Sequence, residues 1–142
     1  MPNSAFLNQL VQAELAPAPV AETYTVEPPS SATGQAIFQK IVEASRENGL
    51  HTDTVLRIAS CESNLRQHRQ SGAVLRGRHN ANDVGIFQIN EEYHLAQSHK
   101  LGFDLNQTDD NIAYAMWLMK KEGNRHWNWS KPCWNSERIL KN

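Results

Sequence analysis

No stretch of this sequence approaches the ~18 consecutive apolar residues that a membrane-spanning helix needs, so no span is expected. Cysteine is scarce. Cys61 and Cys133 are the only two, far apart and without the close spacing or His partners of a zinc site. By themselves they read most simply as buried free thiols, with a bridge closing a long loop as the alternative. Basic residues are missing from the whole N-terminal part: Glu14, Glu22 and Glu27 precede the first cation, Lys40. All 14 Lys and Arg therefore lie from Lys40 onward, against the 15 acids less those three, an excess of about +2. That excess is too small for a nucleic-acid-binding face, although it is compatible with an anionic polymer as substrate.

Proline is nearly absent after residue 30, where Pro132 stands alone. The other prolines fall in the N-terminal part, densest in "LAPAPVAETYTVEPPSSATG". Such a segment buries too little apolar surface to offset its ordering entropy. Residues 1–34 are accordingly read as a Pro/Ala-rich tail or linker, and residues 35–142 as one domain with a single core. The tail lacks the basic n-region and apolar h-region of a secretory signal. Any export signal would have to lie upstream, be unconventional or be absent.

Within the domain the apolar pattern is helical. Ile37, Phe38, Ile41, Val42 and Ala44 follow the 3.6-residue period, and Gly49 is placed to stop that helix. Thr52 or Asp53 is the expected cap of a second helix, with Val55, Leu56, Ile58, Ala59 and Leu65 facing the core. Periodicity then disappears over residues 66–82, which read as loop or short β-ribbon. A third helix is expected within "GIFQINEEYHLAQSHKLG", ending at Gly102. A fourth starts at Thr108, where Asp109 and Asp110 complement the macrodipole, and ends at Gly123. The Trp-rich remainder is expected to be only partly helical.

Two carboxylates carry the chemical interest. Glu62 ends the apolar run "VLRIAS" and shares a helix face with Ile58. A carboxyl so placed is desolvated, which raises its pKa and suits a general acid. Asp83 lies in the polar turn "NAND", where it should remain ionised. Alone, each acid reads more simply as an ordinary surface group. Together they have the layout of a glycosidase pair, one carboxyl in an apolar setting and one in a polar loop.

"CESNL", then "DVGIFQIN", then "NIAYAMWL" resemble, in that order and spacing, the lysozyme superfamily, which includes animal-type lysozymes and bacterial and phage lytic transglycosylases. The similarity covers roughly residues 36–134. It implies a mainly α, lysozyme-like α+β fold: a helical domain, a small loop or β-ribbon lobe, and a glycan cleft between them. It implies that Glu62 is the catalytic acid, that Asp83 stands at the second carboxylate position, and that Ser63, Gln88 and Asn90 contact the sugar. Tyr114 and Trp127 are added as glycan contacts, while Tyr93, Trp129 and Trp134 stay open between contact and packing, and Trp117 reads as core. The expected substrate is the MurNAc-β-1,4-GlcNAc bond of peptidoglycan glycan strands, cleaved by a monomer that is extracytoplasmic or part of a phage virion.

The segment "HWNWSKPCW" replaces the Ala-Tyr-Asn of soluble transglycosylases and resembles the animal-type pattern, in which a cysteine there bridges to the catalytic helix. The resemblance thus implies a Cys61–Cys133 disulfide and an oxidising compartment. It leaves open a transglycosylase giving 1,6-anhydro products, a hydrolase using Glu62 and Asp83, and a non-catalytic glycan-binding module. The last would be marked by loss of the glutamate, which is present. Neither organic cofactor nor metal is implied; His94 and His99, five apart, share a helix face poorly.

Overall fold

Residues 23–142 are described by a computed structural model; the reading of residues 1–22 as tail lies outside the described residues. Helix α1 (Ala32–Glu47) begins where Ser31 Oγ accepts the Gly34 N–H at 3.0 Å, and buries Ile37, Phe38, Ile41 and Val42. It ends at Asn48, followed by Gly49 with φ +65°, the left-handed conformation that a helix stop favours in glycine. Helix α2 (Thr52–Ser63) is capped by His51, not by Thr52 or Asp53: its Nδ1 accepts the Thr54 N–H at 3.3 Å.

Asp53 is occupied elsewhere. Its two carboxylate oxygens accept the N–H and the hydroxyl of Thr25, each at 2.7 Å. Residues 23–34 are therefore part of the fold and not the end of a tail. Val26 is 1 % exposed and forms a parallel bridge with Leu140, and Glu27 N donates to Leu140 O at 2.8 Å. A single valine among prolines gave no periodic signal, yet burying it fastens both ends of the domain together.

Buried Arg57 completes that junction. Its five N–H donors reach Trp134 O, Thr25 Oγ1, Arg138 O, Ser136 O and Ser136 Oγ, between 2.6 and 3.0 Å. A guanidinium can be kept from water only when its donors are all occupied. Here the C-terminal carbonyls do this, so the cation holds the irregular C-terminus against α2.

After α2 the chain forms the small lobe. Isolated bridges join His68 to Val74 and Arg76 to Val84, and strand β1 (Asp83–Val84) pairs antiparallel with β2 (Ile89–Asn90). Helix α3 (Glu91–Lys100) follows at once, with Asn90 as its cap, and Gly102 comes just after its end. Helix α4 (Thr108–Glu122) carries Asp109 and Asp110 in its first turn. It buries Ile112, Ala115, Met116 and Met119 against α1 and the core. It starts at Thr108 as expected, and Gln107 in the cap position makes no side-chain cap bond. A 3₁₀ helix (Arg125–Ser130) and the short α5 (Lys131–Trp134) finish a fold that, among the described residues, is mainly helical with one two-stranded sheet. No helix among the described residues is long and apolar enough to cross a membrane.

Cys61 and Cys133 form a disulfide with Cα atoms 6.1 Å apart, joining α2 to α5 across a separation of 72 residues. Closing so long a loop restricts the unfolded chain by about 4 kcal/mol in the entropic description. Replacing both cysteines by serine should lower the unfolding free energy in denaturant titration by about that amount. A loss under ~1 kcal/mol would show that the bridge does not constrain the unfolded chain in this way.

Candidate active site

The site begins with two buried amides. Gln67, 1 % exposed, accepts the Ile86 N–H at 2.9 Å and donates to Leu105 O at 3.0 Å. Asn111, fully buried in α4, accepts the Phe87 N–H at 3.1 Å and donates to Val84 O and Leu105 O, each at 3.0 Å. Between them lies Gly85, at φ +74°. A Cβ there would stand 2.4 Å from Gln67 Oε1 and 2.5 Å from Asn111 Nδ2. Only glycine has both the conformation and the space, which gives "DVGIFQIN" and the Asn of "NIAYAMWL" a physical reason. The amides fix the turn that carries Asp83, Gln88 and Asn90.

Glu62 faces this turn from the last turn of α2. A pocket of about 300 Å³ contains Glu62, Asp83, Gln88 and Asn90, and is also lined by Tyr93, His94, His126, Trp127 and Trp129. Burial raises the Glu62 pKa above its ordinary value of 4.5. A hydrogen bond from Ser130 opposes that shift, and the negative charge of Asp83 adds to it. Ser130 Oγ donates to Glu62 Oε1 at 2.5 Å. Asp83 is half-buried, and its Oδ1 accepts from Asn90 Nδ2 at 3.0 Å, across the β1–β2 ladder. The two acids thus sit in unlike settings within one pocket.

Trp127 forms part of the wall, but as packing. It is 4 % exposed, its indole N–H donates to Phe87 O at 2.8 Å, and its ring meets Phe87 edge-on. Trp134 supports it by donating to Trp127 O at 3.0 Å. The C-terminal tryptophans therefore join the 3₁₀ helix to the Gly85 turn and bring Ser130 to Glu62.

The structure separates the remaining candidates. Gln88 and Asn90 line the pocket; Gln88 Nε2 donates to Gly85 O at 2.9 Å, and Asn90 also caps α3 by accepting the Tyr93 N–H. Ser63 is not available to a sugar. It is 5 % exposed, its hydroxyl donates to Ala59 O and accepts from Arg66 N, and it serves the helix end. Tyr114 is fully buried, stacked on Trp117 with its hydroxyl 3.0 Å from His94 Nδ1. It supports the pocket from behind.

The aromatic faces open to a ligand are Tyr93, 77 % exposed, and Trp129, 95 % exposed. Ser130 and His126 lie within "HWNWSKPCW", but nothing in that segment marked either as a site residue. The signal available for Ser130 was indirect, since a bridge from Cys133 to the neighbour of Glu62 brings its surroundings with it. His94 and His99 do not converge: His94 packs against His126 at 5.0 Å while His99 is exposed. Among the described residues no group of three His, Cys, Asp or Glu could hold a metal ion.

The raised pKa has a stability consequence. Between 4.5 and the folded value, the native state binds more protons at Glu62 than the unfolded state, so stability falls as pH rises through that window. Glu62→Gln removes the liability while keeping the acceptor for Ser130. The variant should melt above the wild type at pH 7, and the difference should close below pH 4.5, where both states hold the proton. A variant less stable than wild type at pH 7 would contradict the raised pKa of Glu62.

Comparison of the chain with protein-family models, with curated proteins and with solved structures finds no match.

Proposed function

We propose that this chain cleaves the β-1,4 bond between N-acetylmuramic acid and N-acetylglucosamine in peptidoglycan, by the lytic transglycosylase route, outside the cytoplasm. The observation that carries the proposal is the pairing of unlike carboxyls in one pocket. Glu62 is half-buried, hydrogen-bonded by Ser130 and raised in pKa, and Asp83 is held by Asn90 on strand β1 of the same pocket. A pKa moved toward neutrality is what a proton donor to a glycosidic oxygen requires. The disulfide fits an oxidising compartment, and the motif resemblance supplies the substrate class.

Protonated Glu62 donates to the glycosidic oxygen as the C1–O bond breaks and positive charge develops at C1. The resulting carboxylate then accepts the proton of the muramyl C6 hydroxyl, whose oxygen attacks C1 to close a 1,6-anhydro ring. The electron pair of the broken bond leaves with the released sugar, so no water is consumed. Ser130 keeps one Glu62 oxygen fixed through both proton transfers, and exposed Tyr93 and Trp129 offer faces for pyranose stacking. Asp83, restrained by Asn90, orients the turn and favours the positive centre electrostatically.

One feature favours a second route, hydrolysis: Asp83 is near enough to raise the Glu62 pKa, and such a neighbour suits a glycosidase nucleophile or stabiliser. Mass spectrometry of muropeptides from purified walls separates the routes, since the anhydro product lacks one water. Glu62→Gln should lose activity by at least about 100-fold with an unchanged circular dichroism spectrum. Folded Asp83→Asn should keep activity within about tenfold, whereas a loss beyond ~100-fold, ~2.7 kcal/mol, with reducing-end products, identifies the hydrolase. Near-wild-type activity in folded Glu62→Gln would refute the acid assignment.

A further inference from the structure

Two imidazoles share the pocket with Glu62: His94 from α3 and His126 from the 3₁₀ helix. Each ring is held at one nitrogen by a side chain of α4 that does not itself line the pocket. His94 Nδ1 meets the Tyr114 hydroxyl at 3.0 Å, and His126 Nε2 is hydrogen-bonded to a Glu122 carboxylate oxygen. Tyr114 is fixed in turn by stacking on Trp117, and Glu122 by Arg125, whose Nη2 lies 2.9 Å from its other oxygen. The two rings then meet edge to face with centroids 5.0 Å apart. Among the described residues, His94 Nε2 and His126 Nδ1 have no hydrogen-bond partner. The two nitrogens of an imidazole diverge, so the unheld nitrogen of each ring faces away from its α4 partner.

The supporting groups fix what each unheld nitrogen offers. Tyr114 is fully buried, and burial raises its pKa, so its hydroxyl keeps its proton. Its hydrogen-bond partner is His94 Nδ1, which therefore accepts that proton and leaves the His94 hydrogen on Nε2, as a donor. Burial and the neighbouring His126 lower the His94 pKa from its ordinary 6.5, which keeps this ring neutral at pH 7. Hydrogen bonds from His126 and Arg125 lower the Glu122 pKa below its ordinary 4.5, so Glu122 is ionised and can only accept. The His126 hydrogen is therefore on Nε2, and in the neutral ring its Nδ1 is an acceptor. One fixed donor and one fixed acceptor stand side by side in the pocket.

This complement selects among ligand groups. Asp83 in the same pocket and ionised Glu122 behind His126 disfavour an anion. A trans amide points its N–H and C=O in opposite directions, so it cannot meet two adjoining rings at once. A hydroxyl donates and accepts through a single oxygen. We infer that His94 and His126 form a subsite for one pyranose hydroxyl of the bound glycan, which accepts from His94 Nε2–H and donates to His126 Nδ1. The inference rests on the glycan reading of the pocket and adds to it two contacts of fixed polarity. Both are set from α4, while the acid Glu62 comes from α2.

Two substitutions delete the unheld nitrogen and keep the supporting bond. In His94→Asn the side-chain amide takes the Nδ1 position and still meets Tyr114; in His126→Gln it takes the Nε2 position and still donates to Glu122. A merely structural role would survive both changes. The whole chain, carrying Glu62→Gln so that nothing is turned over, is titrated with an alternating GlcNAc–MurNAc tetrasaccharide. Binding is followed through the backbone amides of Gln88 and Asn90 and through the imidazole nitrogen-15 signals, a readout that needs neither histidine replaced. The tetrasaccharide should move the His94 Nε2 and His126 Nδ1 signals, and each substitution should weaken its binding at least about fivefold. Unchanged affinity in either variant, or amide shifts at Gln88 and Asn90 with both imidazoles silent, would overturn the inference and leave the glycan reading standing. No shift anywhere in the pocket at millimolar tetrasaccharide would overturn both.

Discussion

Two side-chain amides, Gln67 and Asn111, hold the Val84–Phe87 backbone that the rest of the pocket depends on. Backbone polar groups in a buried turn need partners, and a turn this short cannot supply its own. Gln67 arrives from the loop after α2 and Asn111 from α4, so the turn is gripped from both sides, and Gly85 lets the backbone come close enough. Asp83 and Asn90 then face each other across two short strands that would be marginal alone. Half-satisfying such a network would be worse than omitting it. Among the described residues no buried side-chain polar atom lacks a partner.

The opposite wall depends on α2. Arg57 draws the C-terminal carbonyls onto its buried face, and Cys61 ties α5 to its last turn. Between these anchors, Trp127 spans to the Gly85 turn through Phe87 O and places Ser130 on Glu62. One side of the pocket is thereby built from packed tryptophans and the disulfide-tied helix end, the other from polar side chains. The difference between the two carboxyls follows from which wall each belongs to.

Elements with a local cause were readable from the sequence. The periods of α1, α2 and α4 and their glycine stops are contiguous patterns, and Glu62 followed from the apolar run before it. The disulfide entered through resemblance and is present. What escaped depends on partners distant in the chain. Val26 is a lone apolar residue until Leu140 pairs with it, and Gln67 reads as loop polarity until Ile86 and Leu105 surround it. Thr52 and Asp53 are better cap residues than His51 by propensity, but Asp53 is required by Thr25. Tyr114 and Trp127 were chosen as ligand contacts for their chemistry, yet the fold uses them as support and exposes Tyr93 and Trp129 instead. Aromatic residues serve core and ligand equally well, and only packing separates the two uses.

The central claim is that Glu62 holds its proton where an ordinary glutamate has lost it. Carbon-13 labelling of glutamate carboxyls, with the Glu62 signal assigned by its loss in Glu62→Gln, allows its titration to be followed directly by NMR. The account predicts a midpoint above the ordinary 4.5, with a step transmitted to the Ser130 resonances. A Glu62 carboxyl that titrates at or below 4.5 would contradict it.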